Sequence, residues 1–206
     1  MGVCYLVGAG QFRMHDFAPK PGDFVIAADA GYEALRALHI TPDLLVGDFD
    51  SLAQRPADVP THTHPVEKDD TDMALALEEG FTRGYRDFVL YGADGGRLDH
   101  TLANLQLLGG ASRRGINVRM AGDGFDMIAL TNGTLTLPVR AAGTLVSVFC
   151  HGAVAEGVTL RGLRYPLNRA TLTADRALGV SNEYRDADAS VTVENGTLLV
   201  YIASAV

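Results

Sequence analysis

The chain has 206 residues, 47% of them hydrophobic and 20% charged, and its 25 acidic against 17 basic side chains leave a formal charge of −8. That apolar fraction supports a buried core and excludes a disordered chain, while the length admits one large domain or two small ones. The acidic balance excludes a broad nucleic-acid footprint, which needs clustered lysine and arginine, but leaves room for small anions held by loops and a metal.

Residues 3–7, Val-Cys-Tyr-Leu-Val, end in Gly8-Ala9-Gly10 and predict a buried strand running into a tight turn. A dinucleotide fingerprint needs a third glycine opening a helix; Gln11-Phe12-Arg13 stands there instead, so the expectation is a turn near a nucleotide without that fingerprint. The run is too short for a signal peptide or a membrane span, and Leu6 breaks a myristoylation motif at Gly2. Cys4 and Cys150 read as reduced, buried thiols, and a cytoplasmic location is expected.

Residues 24–28 predict a second strand ending at Asp29, and residues 30–38 a helix with Ala34, Leu35 and Leu38 on its apolar stripe, stopped by His39-Ile40-Thr41-Pro42. A third strand, residues 44–46, runs into Gly47-Asp48-Phe49-Asp50-Ser51. In an extended segment Asp48 and Asp50 leave the backbone on one face. That is half of a site for a hard cation such as Mg²⁺, which takes oxygen ligands and keeps several waters, and Gly47 is expected to let a ligand approach the backbone. A polar turn would explain Asp-x-Asp alone; recurrence of acid-bearing turns points to one site.

Residues 51–64 read as a surface connection, with His62 and His64 solvated within it. Asp69 or Asp70 is expected to cap a helix whose apolar face is Met73, Ala76, Leu77 and Phe81. Glu67, Asp69, Asp70 and Asp72 crowd carboxylates into a repulsive cluster that a cation would relieve, and Lys68 beside them suits a phosphate. Residues 87–91 predict a fourth strand opening into Gly92-Ala93-Asp94-Gly95-Gly96-Arg97, whose free N–H groups and arginine suit an anion. A helix over 98–108 is expected to turn Leu98, Leu102, Leu105 and Leu108 to the core, with Asp99, His100 and Asn104 near its start.

Strands over 116–120 and 127–130 complete an alternation that implies a parallel sheet with ligands at the strands' carboxyl ends. From about residue 131 the pattern changes to short β runs, with Asn132-Gly133 and Asn195-Gly196 expected as hairpin turns. The expected architecture is an α/β chain: a Rossmann-like parallel-sheet catalytic domain over 1–131, then an all-β sandwich domain over 132–206.

Taken in order, Ala28-Asp29-Ala30-Gly31, Gly47-Asp48-Phe49-Asp50-Ser51, Lys68-Asp69-Asp70-Thr71-Asp72, Gly95-Gly96-Arg97-Leu98-Asp99-His100, and Gly162-Leu163-Arg164-Tyr165-Pro166-Leu167 with Gly179-Val180-Ser181-Asn182-Glu183 resemble the motif set of the thiamine pyrophosphokinase family. The match runs across nearly the whole chain. It implies transfer of the β,γ-diphosphate of ATP to the hydroxyl of thiamine, giving thiamine diphosphate and AMP, with Mg²⁺ and a homodimer whose sites lie between subunits. The resemblance assigns Asp48, Asp50 and Asp72 to Mg²⁺ and to catalysis, with Asp99 positioning the reacting groups. Asp29, Ser51, Lys68, Thr71 and Arg97 fall to the nucleotide and its phosphates. Tyr165, Ser181 and Asn182 fall to thiamine, Tyr165 standing where some members carry a stacking tryptophan. The chain has no tryptophan, and a tyrosine face suits a cationic thiazolium.

Diphosphoryl transfer asks mainly for positioning and charge neutralisation, so metal-held carboxylates with Lys68 and Arg97 suffice in kind. The general base stays open between Asp99, Asp72 and no protein group, with His100 a weaker candidate. The competing readings are a pyrophosphokinase acting on a hydroxymethylpterin and a non-catalytic thiamine or nucleotide sensor. Tyr165 and Ser181-Asn182 favour thiamine over the pterin, and Asp48, Asp50 and Asp72 together favour an enzyme over a sensor. No nucleic-acid or membrane partner is expected.

Overall fold

The computed structural model describes residues 2–47, 58–63, 70–185 and 187–204. Asp48, Asp50, Ser51 and Lys68 lie outside the described residues, as do Glu67 and Asp69. The chain is a mixed α/β fold that divides into two compact units, Met1–Leu107 with Ile116–Asp123, and Leu108–Gly115 with Gly124–Val206. No helix among the described residues is long and apolar enough to cross a membrane.

The first unit holds strands β1 (Cys4–Val7), β2 (Phe24–Ala28), β3 (Leu44–Gly47), β4 (Thr61–Thr63), β5 (Asp87–Tyr91) and β6 (Asn117–Gly122). They lie in the order β4-β3-β2-β1-β5-β6, and every pairing is parallel. Strands covered on both faces carry near-continuous apolar runs instead of alternation, which is why β1, β2, β3 and β5 were legible as such. Leu6, Ile26, Leu45, Val46 and Leu90 are all buried. Strand β4 corrects the expectation of a plain surface connection: Thr61, His62 and Thr63 are exposed yet pair with Leu45, Val46 and Gly47 at the sheet edge. A polar edge strand has no apolar face to announce it. His62 Nδ1 there hydrogen-bonds the Glu79 carboxylate at 2.5 Å.

Among the described residues three α-helices connect the strands. α1 (Gly31–Ala37) buries Gly31 and Leu35, and ends with His39 in the left-handed region at φ +57°. α2 (Asp72–Thr82) buries Met73, Ala76 and Leu77 as expected, together with Gly80. Its cap is Thr71, whose hydroxyl accepts from the Ala74 amide at 3.3 Å, and not Asp70; Asp69 lies outside the described residues. α3 (Leu98–Arg113) also departs from its leucine pattern. Leu98 and Leu102 are exposed, whereas Asn104, Leu108 and Ala111 are buried, a stripe at i, i+4 and i+7. Asn104 Nδ2 donates to the Ala93 carbonyl at 2.7 Å, which satisfies the one polar side chain on this buried face.

After β1 only a single 3₁₀ turn, Met14–Asp16, forms before β2. The amides of Gly8, Gly10 and Gln11 donate to the carbonyls of Tyr91, Gly92 and Asp94 at 2.8–2.9 Å. A Cβ at Gly10 would stand 2.1 Å from the Asp94 oxygen, so this turn is shaped by contact with the loop after β5. Phe17 then packs edge-on against Tyr5, Phe12 and Tyr91, and the Tyr91 hydroxyl donates to the main chain of Asp16 at 3.1 Å. Cys4 is a buried free thiol whose pKa burial pushes up to about 12, which makes it inert.

The second unit holds β7 (Phe125–Thr136), β8 (Leu145–Cys150), β9 (Val154–Arg161), β10 (Leu167–Thr173), β11 (Gly179–Glu183) and β12 (Ser190–Ala203), all paired antiparallel. β12 runs along β7 on one side. On the other it pairs first with β9, from Ser190, and then with β8, from Leu198. Val146, Val148, Val158, Leu160, Val191, Leu198 and Val200 form its core.

Neither Asn-Gly dipeptide makes a hairpin. Both sit inside long strands, and the register steps from Val193↔Gly133 to Thr197↔Thr131, a bulge of two extra residues on β12. Asn132 takes φ +46°, Gly196 φ +116°, and Asn132 Oδ1 accepts from the Gly196 amide at 2.8 Å. The positive φ that would turn a hairpin is spent on bending two paired strands. The expected strand 127–130 and the residues 134–136 beyond it are therefore parts of β7, an antiparallel strand that residue 131 does not interrupt.

Gly31 sits where a Cβ would stand 1.9 Å from the Val7 carbonyl oxygen, so its constraint comes from β1. Overpacking typically costs about 1–3 kcal/mol, against a helix-propensity gain of about 1 kcal/mol for alanine. A main-chain oxygen cannot rotate aside, so Gly31→Ala should lower the urea midpoint with an unchanged m-value. An unshifted midpoint would mean that α1 slides freely on β1.

Candidate functional site

Parallel strands place all their carboxyl ends at one sheet edge. A cavity of about 370 Å³ opens there in the first unit, lined from the loops after β1 (Gly8, Ala9, Gly10), β2 (Ala28, Asp29) and β5 (Gly92 to Arg97). The start of α2 adds Thr71, Asp72 and Met73, and α3 adds His100 and Asn104. Asp29, the adjacent Thr71 and Asp72, and Arg97, from three distant stretches of the sequence, thus share one wall system. Of the acid-bearing turns, those at Asp29, Asp72 and Asp94 reach this cavity; the one at Asp48 and Asp50 lies outside the described residues.

Asp29 is held in the left-handed region at φ +47°, with its amide donating to Val46 at 2.8 Å. A residue other than glycine in that region marks strain that surroundings must hold in place. Gly47, at φ +152°, lies beside it, and a Cβ there would stand 3.3 Å from the Asp29 Cα. The glycine before Asp48 therefore answers to the Asp29 backbone, where ligand approach was expected. Asp72 is the first residue of α2, where a carboxylate is favoured by the helix dipole, and Thr71 serves as its cap.

Arg97 and Asp99 grip each other. Nη2 donates to Oδ2 at 2.5 Å and Nε to Oδ1 at 3.2 Å, a bidentate pair, while the His100 amide donates to Oδ1 at 3.0 Å. Both side chains are exposed. The Arg97 hydrogen bonds hold the Asp99 carboxyl down at about 2. Asp99 does not line the cavity; it reaches it through Arg97.

The second unit gathers the other predicted set. The Asn182 side chain is buried, and its Oδ1 accepts from the amides of Tyr165 and Glu183 at 2.9 Å while Nδ2 donates to the Tyr165 carbonyl at 2.8 Å. Asn182 is thereby a clamp on the turn that carries Tyr165. The Tyr165 ring is 55% exposed, and the Arg164 guanidinium lies 5.4 Å from its centroid, so the ring already presents one face to a cation. Ser181, at φ +58°, has its amide on Ser147 Oγ at 3.0 Å. Around it Leu145, Phe149, Leu178 and Val180, on and beside the paired strands β8 and β11, are exposed.

Two cavity residues were not assigned a role from sequence. Asn104 lies four residues after His100 and seven after Arg97, so helical spacing could have found it. Asp94 is 7% exposed; Oδ2 accepts from the Asp123 amide at 3.1 Å, Oδ1 has no partner among the described residues, and burial raises its pKa. No local signal separates it from an ordinary turn acid. Among the described residues no three acidic, histidine or cysteine side chains converge on a metal position. Asp29 and Asp72 nevertheless supply hard oxygen donors in one cavity, which fits a cation that needs only one or two carboxylates beside substrate oxygens.

Residues 20–120 match the family model for the thiamin pyrophosphokinase catalytic domain, and residues 134–198 that for the thiamin pyrophosphokinase vitamin B1 binding domain. The chain is 28% identical over 181 residues to thiamine pyrophosphokinase of Bacillus subtilis (strain 168), covering 85% of each. Its fold matches the crystal structure of thiamine pyrophosphokinase from Bacillus subtilis with a TM-score of 0.88 at 23% identity, over 99% of this chain and 100% of that one. It matches thiamin pyrophosphokinase from Geobacillus thermodenitrificans with a TM-score of 0.86 at 27% identity, over 98% of both.

The Arg97–Asp99 pair sets a pH dependence. A carboxyl depressed in the fold contributes stability that is complete above its unfolded pKa, near 3.8, and is lost as pH falls through its folded value, about 2. In carboxyl-detected NMR, Asp99 should titrate near 2 in the intact protein and move toward 3.8 in Arg97→Gln. An unmoved titration in that variant would show that Arg97 is not the cause.

Proposed function

The chain belongs to the thiamin pyrophosphokinase family, and on that premise we propose that it transfers the β,γ-diphosphate of ATP to the hydroxyl of thiamine, giving thiamine diphosphate and AMP. The observation that carries this reading is the joint placement of Asp29, Thr71, Asp72, Arg97 and the glycine loop after β5 around one cavity at the strand ends. That is an arrangement of carboxylates, main chain and guanidinium suited to a nucleotide phosphate chain and its cation.

In this proposal the thiamine hydroxyl oxygen bonds to the β-phosphorus as the bond from that phosphorus to the α-phosphate oxygen breaks, AMP leaves, and the hydroxyl proton passes to solvent or to a carboxylate not yet assigned. Asp72, with Asp48 and Asp50 from the segment after β3, would hold Mg²⁺, which when bound neutralises phosphate charge. Arg97, aimed by its bidentate grip on Asp99, faces the phosphates together with Lys68, and Asp29, Ser51 and Thr71 bind the nucleotide. The unusual backbone at Asp29, buttressed by Gly47, supports a fixed position for that carboxylate.

Thiamine is taken by the second unit, with Tyr165 stacking on the thiazolium through the ring face away from Arg164, Ser181 contacting the substrate, and Asn182 keeping the Tyr165 turn in place. The reading assigns a Rossmann-like nucleotide domain to the first unit and a β-sandwich to the second. The exposed apolar side chains beside Ser181 support a homodimer in which a second copy covers them and completes the site. The enzyme is assigned to the cytoplasm.

Purified protein with Mg²⁺, ATP and thiamine should yield AMP and thiamine diphosphate in equal amounts, both absent without thiamine; ADP with thiamine monophosphate would refute the phosphate register. Asp72→Asn should lower kcat by about 10²-fold or more with a native circular dichroism spectrum, since it removes charge aimed at the phosphates. Near-normal turnover would exclude Asp72 from the metal. If sites form across a dimer, mixing inactive Asp72 and Ser181 variants should recover activity through hybrid sites. No recovery after confirmed subunit exchange would mean that one chain builds each site.

A further inference from the structure

The strand-end cavity holds a side chain to which the proposed reaction gives no task. Asn104 lines it from α3, two turns beyond Arg97, which is about 10 Å along the helix axis at a rise of 1.5 Å per residue. The residue is 7% exposed, and its Nδ2 donates to the Ala93 carbonyl at 2.7 Å. A carbonyl only accepts, so this bond fixes which way the amide is turned, with nitrogen toward the loop after β5 and oxygen away from it. That oxygen, Oδ1, makes no hydrogen bond among the described residues, and unlike Oδ1 of Asp94 it is not sealed from solvent. The two buried polar side chains left over in the wall therefore differ. Asp94 keeps its unmatched oxygen inside the protein, whereas Asn104 offers an acceptor to the cavity.

An outward acceptor excludes some occupants. Ionised phosphate oxygens are themselves acceptors, so Oδ1 repels them, and the reading above gives them Arg97 and the glycine loop instead. What Oδ1 takes is an N–H or an O–H. The same wall carries Ala9, Ala28, Ala93 and Met73, apolar surface that suits a base and a sugar more than a phosphate. The donors that an adenine nucleotide offers away from its phosphates are the ribose hydroxyls and the exocyclic amine of the base.

We propose that Asn104 is a specificity-determining residue for the nucleotide: Oδ1 accepts from a donor on the nucleoside half, either a ribose hydroxyl or the adenine amine, while Nδ2 holds Ala93. This assignment rests on the strand-end cavity being the ATP site. A nucleotide without that donor would leave a buried acceptor unpaired, and that is the cost by which a site rejects an analogue.

The test is calorimetric binding of AMP, its 2′-deoxy and 3′-deoxy analogues, and purine riboside monophosphate, which lacks the amine, to the parent chain and to Asn104→Ala. Divalent cations are left out, so metal ligation plays no part. One analogue should bind the parent about three- to tenfold more weakly than AMP, the loss expected for one neutral hydrogen bond, and its identity names the donor. Asn104→Ala should weaken AMP by a similar factor and bind that analogue as well as it binds AMP. An Asn104 that acts only through Ala93 would weaken all four ligands alike and leave the parent's preference intact in the variant, which overturns the assignment. Equal affinity of the parent for all four overturns it without any variant. Should Asn104→Ala fail to fold, Asn104→Ser takes its place. A parent chain that binds no AMP refutes the cavity as a nucleotide site and this assignment with it, whereas AMP binding without discrimination among the analogues refutes this assignment alone.

Discussion

The parallel pairing of β1 with β2 on one side and β5 on the other is the constraint on which the first unit depends. Parallel strands all point one way, so every loop that leaves a strand's carboxyl end arrives at one edge. Main-chain hydrogen bonds carry this order past the strands: Asp29 to Val46, and Gly8 and Gly10 to Tyr91 and Gly92. Side chains at this edge can be small or absent, because it is backbone that meets backbone. That is why the glycines there cluster, and why Asp29 keeps a backbone conformation it would not choose alone.

The electrostatics follow from the same placement. An acidic chain gathers carboxylates at Asp29, Asp72 and Asp94 around one cavity, a repulsive arrangement that suits a cation and phosphate oxygens together. The three acids differ by environment. Asp72 opens a helix, Asp29 is fixed through its backbone, and Asp94 is buried with one oxygen unmatched among the described residues. Arg97 does not stand alone at the cavity wall; Asp99 fixes its fork in a bidentate grip, trading some freedom of the guanidinium for direction.

In the second unit one long strand organises the rest. β12 stays with β7 throughout but changes its other neighbour from β9 to β8 at a bulge, and the core residues on both halves close over each other. The turn carrying Tyr165 depends on a single buried amide, because Asn182 satisfies both the donor and the acceptor of the Tyr165 backbone. Position at Tyr165 is thus set by Asn182, while contact with a ligand is open to the exposed ring.

By itself the sequence determined what burial and local chemistry write into neighbouring residues. The apolar runs at residues 3–7, 24–28, 44–46 and 87–91 announced strands buried on both faces, Met73, Ala76 and Leu77 announced the packed face of α2, and the ordered motifs pointed to the family. Tertiary structure alone decided how ambiguous local signals were used. Asn132-Gly133 and Asn195-Gly196 permit positive φ anywhere, and only the partner strand opposite turns them into a bulge. Leu98 and Leu102 look like core, yet they are exposed, and the buried face of α3 instead carries Asn104 bonded to the Ala93 carbonyl beside Leu108 and Ala111. The strand at Thr61–Thr63, the buried acid at Asp94 and the clamp at Asn182 share the same reason. Each rests on a hydrogen bond or desolvation supplied by residues distant in the chain, which no local pattern records.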